Sequence, residues 1–229
     1  MKYKSIKSNL KYFILLLALY SFFLIPNTSV RATSSTRYYA GYFGNNNPDG
    51  IRGKILTIDS SVPLGEFFSE WISIGISYSP LYWIQLGYTQ RWTWWIFPPF
   101  PYITLDFYLE RQDAYFYWIT YCILKPIVGI TYTYELYYKE PGPYAWHFKV
   151  CEGQITIWFG DTFTNPSSRI DLSAFVETTV TSIDIDGSHF TNLKYYNDPN
   201  WYLWSYHTTY NDDDPPYWTE SISHHEFYA

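Results

Sequence analysis

The sequence has few charged residues, almost no cysteine and no long apolar run beyond its N-terminal part. Only 16% of the 229 residues are charged, and the chain contains 2 cysteines and 1 methionine. Two cysteines do not support a thiolate metal site, and they are a weak basis for a thiol nucleophile. Beyond the N-terminal part, no segment shows a sustained helical period with capping residues, which excludes a helical bundle.

Aromatic residues are abundant where charged residues are scarce. They make up 23% of the chain, as 26 Tyr, 16 Phe and 11 Trp, and hydrophobic residues make up 47%. Such a composition supports a sizeable core and excludes a disordered chain, and Tyr and Trp favour strands. With about ten strand-like segments separated by short turns, it predicts an all-β protein, an antiparallel β-sandwich or jelly roll with long curved strands.

The net charge of −6 is unevenly distributed along the chain. Residues 1–32 carry five of the 15 basic residues and no acidic one, so residues 33–229 hold ten basic against 21 acidic residues, a net charge of −11. Binding to nucleic acid or to an anionic membrane requires Lys and Arg patches. We therefore expect neither of these partners.

The N-terminal segment has the pattern of a secretory signal peptide. Four lysines precede a mostly apolar run over residues 12–25, Pro26 ends the run, and residues 30–32 place small side chains at a cleavage site. The alternative is an uncleaved membrane anchor, but the run is shorter than the ~20 residues that span a bilayer. We predict a signal peptide over residues 1–32 and a secreted domain over residues 33–229 that does not stay bound to a membrane.

Two features of this domain concern its cysteines and its C-terminal part. Cys122 and Cys151 can form a disulfide in an oxidising compartment, and the alternative is two buried free thiols.

From Asn197 onward the pattern becomes irregular and rich in Asp and Pro. We expect this tail to be a loop that packs on the sandwich through three tryptophans, Trp201, Trp204 and Trp218, with residues 226–229 as a last edge strand.

Motifs for cofactors and metals are missing from the sequence. There is no Gly-rich phosphate loop and no Gly-x-Ser-x-Gly nucleophile turn. The five histidines lack the spacing of metal ligands, and Asp184-x-Asp186-Gly187 lacks the later ligands of a calcium loop. We expect no metal and no cofactor.

Two polar residues stand in the middle of apolar strand-like segments. Strand alternation places Gln85 on the same face as Trp83, and Glu177 on the same face as Phe175. An amide or a carboxylate at such a position is costly if it is buried without a partner. The two side chains face solvent, pair with each other or line a cleft, and the pattern alone leaves these alternatives open.

Five short segments form a pattern when they are taken in order: YAGY at 39–42, IRGKILT at 51–57, EWISI at 70–74, IQLG at 84–87 and AFVE at 174–177. Their order and spacing resemble the glutamic peptidase (eqolisin) family. Neprosin-like proteins are more distant relatives that use two glutamates, whereas Gln85 places this chain nearer to the Gln/Glu pattern. The resemblance covers residues 38–196.

The resemblance implies a concanavalin-like jelly roll and a secreted, monomeric, acid-active endopeptidase without a cofactor. Gln85 and Glu177 match the catalytic residues of the family. Trp71 matches its cleft tryptophan, and together with Trp83 and Tyr108 it is expected to hold an extended polypeptide substrate. The low density of titratable groups limits charge repulsion at low pH, which favours acid stability.

The sequence also departs from the family, and it leaves other functions open. Acidic residues that the family has near the dyad are replaced in residues 75–77, 88–90 and 178–180. One alternative is a non-catalytic secreted sandwich that binds glycans or has a role at the cell surface. Another is a glycoside hydrolase, which needs two carboxylates roughly 5–10 Å apart, with Glu110 and Glu177 as the pair to test.

Overall fold

The computed structural model describes residues 36–45, 48–78, 81–96, 99–112, 117–139, 145–163, 171–211 and 217–229, which form strands and turns without a helix. Residues 32–229 form one compact unit. The predicted signal peptide over residues 1–32 lies outside the described residues and stays a prediction. In the described part, no helix is long and apolar enough to cross a membrane.

The described residues form strands of 3 to 16 residues. In chain order they are β1 (Tyr38–Asn45), β2 (Gly50–Leu56), β3 (Phe67–Tyr78), β4 (Leu81–Ile96), β5 (Pro99–Gln112), β6 (Tyr117–Tyr121), β7 (Thr131–Tyr138), β8 (Ala145–Glu152), β9 (Ile155–Phe163), β10 (Asp171–Thr178), β11 (His189–Asn197), β12 (Asn200–Leu203), β13 (Thr208–Asn211), β14 (Glu220–Ser223) and β15 (Glu226–Tyr228).

The strands form two large antiparallel sheets. The seven-stranded sheet has the order β13-β1-β10-β3-β4-β5-β6, and the eight-stranded sheet has the order β14-β15-β11-β2-β7-β8-β9, with β12 paired to β11. The prediction of an all-β, antiparallel β-sandwich is confirmed. The finer jelly-roll and concanavalin-like connectivity stays a prediction.

Apolar residues at alternate strand positions build the core between the sheets. On β3, Ile72 and Ile74 are fully buried, and each such side chain contributes about 1.5–3 kcal/mol when it leaves water. The sheets approach closely where β2 crosses β3, because a Cβ on Gly53 would lie only 3.2 Å from a methyl group of Ile72. The opposite face of β3 is therefore left free to carry a cleft.

The predicted disulfide between Cys122 and Cys151 is not formed. Both thiols are free and buried. Cys122 follows β6 and donates its backbone N–H to Phe107 O in the seven-stranded sheet, whereas Cys151 lies on β8 of the other sheet with its Sγ 3.8 Å from Thr156 Oγ1. Cys122 packs within the hydrophobic core and Cys151 lies outside that cluster, so the two thiols do not meet and the alternative of two buried thiols is the correct one.

The tail after Asn197 is more regular than the loop we expected. It contributes β13 to the edge of the seven-stranded sheet, and β12, β14 and β15 to the other sheet. Strand edges offer unpaired backbone groups that a following segment can bond, and composition does not reveal such pairing. Trp204 is buried and Trp201 is partly buried, but Trp218 is 68% exposed and does not anchor the tail.

Candidate active site

A cavity of about 530 Å³ opens on the face of the seven-stranded sheet that points away from the core. The side chains that line it are Arg37, Tyr39, Phe43, Trp71, Ser73, Trp83, Gln85, Glu110, Tyr117, Phe175, Glu177 and Tyr210. Four of the five side chains predicted for the site are among them. The fifth, Tyr108, does not line the cavity but is hydrogen-bonded to Gln85, which does.

Strand register explains why these side chains share one face. β3 lies between β10 and β4, with Trp71 opposite Phe175 on one side and opposite Gly87 on the other. A Cβ on Gly87 would lie 1.9 Å from Glu70 O, so only glycine allows β3 to approach this closely. Gln85 and Glu177 thus project from the same face, on either side of the strand that carries Trp71.

Glu177 is a buried carboxylate with two strong partners. It is only 4% exposed, and its Oε1 accepts a hydrogen bond from the guanidinium of Arg37 in an ion pair. Its Oε2 accepts a hydrogen bond of 3.0 Å from Trp71 Nε1. Burial raises the pKa of Glu177 above its ordinary value, and the charge of Arg37 and hydrogen bonds from Arg37, Trp71 and Tyr39 offset this rise only in part.

Gln85 is a buried amide held by a tyrosine. It is 7% exposed, and its Nε2 lies 2.7 Å from Tyr108 Oη. Burial first, and then the charges of Glu110 and Glu177, raise the pKa of Tyr108 well above 10, so this phenol stays neutral. Because an amide nitrogen carries two N–H groups, Gln85 keeps one donor for a ligand. Gln85 and Glu177 are bonded to these other partners and not directly to each other.

Two groups of aromatic rings form opposite walls of the cavity. Phe43, Phe175 and Tyr210 make edge-to-face contacts, with ring centroids 4.8 Å apart for Phe43 and Phe175. Trp83 and Tyr117 make a similar contact at 6.4 Å on the other side. A cleft with aromatic walls and a few polar groups is typical of sites that bind an organic ligand.

Sequence reasoning missed several residues of the site. Arg37 belongs to no motif, and it reaches the cavity because Tyr39, two positions later, pairs with Glu177. Tyr210 comes from β13, in the tail that we expected to be a loop. The only available signal was strand alternation, which keeps Arg37 and Tyr39 on one face once the pairing of β1 with β10 is known.

Hydroxyl groups occupy two positions where the resembled family has acidic residues. Thr89 Oγ1 donates to Phe68 O at 3.0 Å, and Thr178 Oγ1 lies 3.1 Å from Tyr217 Oη. Neither hydroxyl is bonded to Gln85 or Glu177. The carboxylate is held instead by Arg37 and Trp71.

Potential metal ligands do not cluster in the described residues. No group of three or more His, Cys, Asp or Glu side chains is placed there to hold an ion. His207 and His224 form an isolated pair near the surface, with their Nδ1 atoms 2.9 Å apart. The chemistry that the site offers is that of a carboxylate, an amide and neutral phenols.

The two sheets and the face that carries this cavity define the fold of the glutamic peptidases. A structure of scytalidoglutamic peptidase with a peptide-based transition-state analogue is similar over 86% of this chain and 100% of that chain, with a TM-score of 0.59 and 12% identity. A structure of SCP-B, an eqolisin peptidase in complex with the tripeptide Ala-Ile-His, is similar over the same shares, with a TM-score of 0.55 and 10% identity. No protein-family model and no curated protein matches the sequence.

Proposed function

We propose that this protein is a secreted acid endopeptidase of the glutamic type, in which Gln85 and Glu177 hydrolyse peptide bonds with an activated water. The observation that carries the proposal is that a buried carboxylate and a buried amide donor line one cavity on the same face of the sheet. The similar solved structures hold a peptide-based analogue and a tripeptide, which supports a polypeptide as the substrate class.

The proposed reaction uses Glu177 first as a base and then as an acid. Its carboxylate takes a proton from water while the water oxygen attacks the carbonyl carbon of the scissile bond. The free N–H of Gln85 donates a hydrogen bond to the oxyanion of the tetrahedral intermediate. Glu177 then returns the proton to the amide nitrogen, the C–N bond breaks, and an amine and a carboxylic acid leave.

The aromatic side chains have supporting roles in this proposal. Trp71 orients Glu177 through its indole N–H, and Tyr108 orients Gln85. Trp83, together with Tyr117, forms a wall against which an extended peptide packs. The cavity volume of about 530 Å³ falls in the range of roughly 300–1,000 Å³ that small-ligand sites have, which is enough for a few residues of substrate.

Secretion and acid activity are also part of the proposal. The basic, apolar N-terminal segment supports export, and the net charge of −11 in residues 33–229 is compatible with an acidic medium in which many carboxyl groups are protonated. Amide hydrolysis with a carboxylate as the only base requires Glu177 to be ionised at the working pH. We therefore expect activity to rise where Glu177 loses its proton.

The experiment that tests the proposal is digestion of an unfolded protein by the purified protein between about pH 2 and pH 7. Variants E177Q and Q85A are compared with E135Q. Glu135 is the matched control because it is also buried and paired with an arginine, Arg52, but it lies on the other sheet. Circular dichroism checks the folding of each variant.

We expect acid-dependent cleavage that folded E177Q and Q85A lose and that E135Q keeps. If the folded protein cleaves no peptide at any pH, the peptidase proposal is wrong. Binding of glycans to the aromatic walls of the cavity then becomes the function to test, because aromatic faces stack on sugar rings.

A further inference from the structure

The ion pair between Arg37 and Glu177 is the strongest polar contact of the cavity that the sequence motifs do not explain. The Arg37 side chain is 43% exposed, whereas that of Glu177 is 5% exposed. Arg37 also lies over the ring of Phe67, with its Cζ 4.7 Å from the ring centroid. This second contact fixes the guanidinium at the rim of the cavity, so that it points inward to the carboxylate.

Arg37 is the cation among the charged and titratable groups that face Glu177. Tyr39 comes from β1, Tyr108 and Glu110 come from β5, Tyr117 comes from β6, and Tyr210 comes from β13. Burial raises the pKa of Tyr108 and of Tyr117, so these phenols are neutral, and Glu110 is an acid like Glu177. Among these neighbours, only Arg37 favours the charged form of the carboxylate through its own charge.

A buried carboxylate without a cation is poorly suited to the proposed reaction. Burial favours the protonated acid, and a protonated acid cannot take a proton from water. The N–H of Trp71 supplies one hydrogen bond but no charge. The site therefore depends on Arg37 to orient the carboxylate and to limit the rise of its pKa that burial causes.

We propose that Arg37 is a positioning residue that holds Oε1 of Glu177 and favours the ionised form of this carboxylate against the effect of its burial. The inference rests on the proposed peptidase function. A carboxylate has about four lone-pair sites, and Arg37, Trp71 and Tyr39 together occupy three, so one can contact the attacking water.

The test compares R37Q, which removes the charge, with R37K, which keeps it. The matched control is R52Q. Arg52 also forms an ion pair with a buried glutamate, Glu135, and also lies over an aromatic ring, that of Trp201, but it is on the eight-stranded sheet. A loss of general stability thus affects R37Q and R52Q alike, whereas a change in the cavity affects R37Q alone.

The first readout is the pH profile of kcat/KM, whose acid limb reports the base of the free enzyme. We expect R37Q to move this limb to higher pH by about one unit or more, because an adjacent opposite charge typically shifts a carboxyl pKa by that amount. R37K should move it less, and R52Q should leave it in place. An unchanged limb in folded R37Q, or higher activity at every pH, overturns the inference.

The second readout does not need peptidase activity. Infrared difference spectra of wild type against E177Q, and of R37Q against R37Q/E177Q, follow the ionisation of Glu177 directly. We expect its midpoint to lie at higher pH in R37Q, and an unchanged midpoint overturns the inference. If the wild type cleaves no peptide, the proposed function fails, and this titration still decides whether Arg37 favours the ionised form of Glu177.

Discussion

The two faces of the seven-stranded sheet each carry a buried glutamate, but the two carboxyl groups have different surroundings. Glu177 faces the cavity and is bonded to Arg37 and to the indole N–H of Trp71. Glu70 faces the core and is fully buried. Within the described residues, neither of its oxygens has a hydrogen-bond partner of normal geometry, although the hydroxyls of Ser188 and Tyr88 are neighbours.

Burial raises the pKa of both carboxyl groups, but the groups that oppose this rise differ. Burial raises the pKa of Glu70 to about 8, with only small lowering effects from Ser188 and Tyr88, so Glu70 is a neutral acid below that pH. Burial also raises the pKa of Glu177, but the charge and hydrogen bond of Arg37 oppose this effect. A carboxyl group on the core face therefore limits stability, whereas one on the cavity face can carry chemistry.

A similar contrast between the core face and the cavity face of this sheet holds for two glutamines and two tryptophans. Gln90 faces the core and is bonded through both polar atoms of its amide, because its Oε1 accepts from Ser60 N at 2.8 Å and its Nε2 donates to Asp59 Oδ1 at 2.8 Å. Gln85 faces the cavity and is bonded to a single side chain, Tyr108. The seven-stranded sheet thus supplies matched pairs of variants, one on the core face and one on the cavity face.

The largest expected effect separates the two glutamates. E177Q should lower kcat/KM by about 10²- to 10⁴-fold, the usual contribution of a general acid–base group, with the fold intact. E70Q should keep activity within a few fold, because it replaces one neutral group by another in the core. Peptide cleavage at acidic pH by the two folded variants is the measurement. If both variants lose activity equally, the glutamate on the core face and the glutamate on the cavity face do not have the different roles expected here.

The second expected effect separates the two glutamines. Q85A should lower kcat/KM by about 10²- to 10³-fold, as removal of one oxyanion donor does, with little change in stability. Q90A should keep activity but lower the free energy of unfolding by about 1–3 kcal/mol, because it leaves the buried N–H of Ser60 without its acceptor. Urea unfolding and cleavage assays on both variants measure these two effects. If Q85A is the less stable variant, the cavity-face and core-face glutamines do not have the separate roles expected here.

The third expected effect is a pH dependence of stability that arises from Glu70. Its pKa is about 8 in the folded protein against 4.5 for the ordinary value. Between these values the folded protein keeps a proton that the unfolded chain releases, so its contribution to stability is full below about pH 4.5 and falls by about 1.4 kcal/mol per pH unit as pH rises to about 8. The difference in unfolding free energy between wild type and E70Q should show this slope.

If that difference is flat between pH 5 and pH 8, roughly the interval between the two pKa values, Glu70 is not a buried neutral acid. The slope is also the opposite of the one that a carboxylate stabilised by a cation gives. Glu70 by itself therefore contributes most to stability in acid, which is the condition proposed for activity.

The fold and the placement of Gln85 and Glu177 on one cavity could be predicted from sequence, whereas their neighbours could not. Strand alternation and the family resemblance single out these two residues because both depend on positions within a single strand. Arg37 depends on how β1 pairs with β10, and this pairing joins residues 140 positions apart. A local pattern holds no information about such a contact.

The two structural errors have the same origin. Cys122 and Cys151 are close enough in sequence to suggest a disulfide, but they are held by different sheets. The tail after Asn197 has a loop-like composition, yet the edges of β1 and β11 convert parts of it into strands. Both outcomes depend on which strand edges are available, and this is a property of the assembled sandwich.

The smallest expected effect separates two tryptophans. Trp71 donates its indole N–H to Glu177 on the cavity face, and Trp92 donates its own to Val62 O at 2.9 Å on the core face. W71F should lower kcat/KM by about 2- to 10-fold, the equivalent of one hydrogen bond of 0.5–1.5 kcal/mol, and W92F should lower stability by a similar free energy without changing kcat/KM.

Steady-state kinetics and urea unfolding of W71F and W92F, measured side by side, distinguish the two roles. Each substitution removes one indole N–H and keeps an aromatic ring, so the loss of packing is similar and the lost hydrogen bond is the main difference. If W92F reduces activity as much as W71F, the N–H of Trp71 does not act on the carboxylate. Glu177 then depends on Arg37 and Tyr39 for its orientation, and the effect of R37Q on activity should be correspondingly larger.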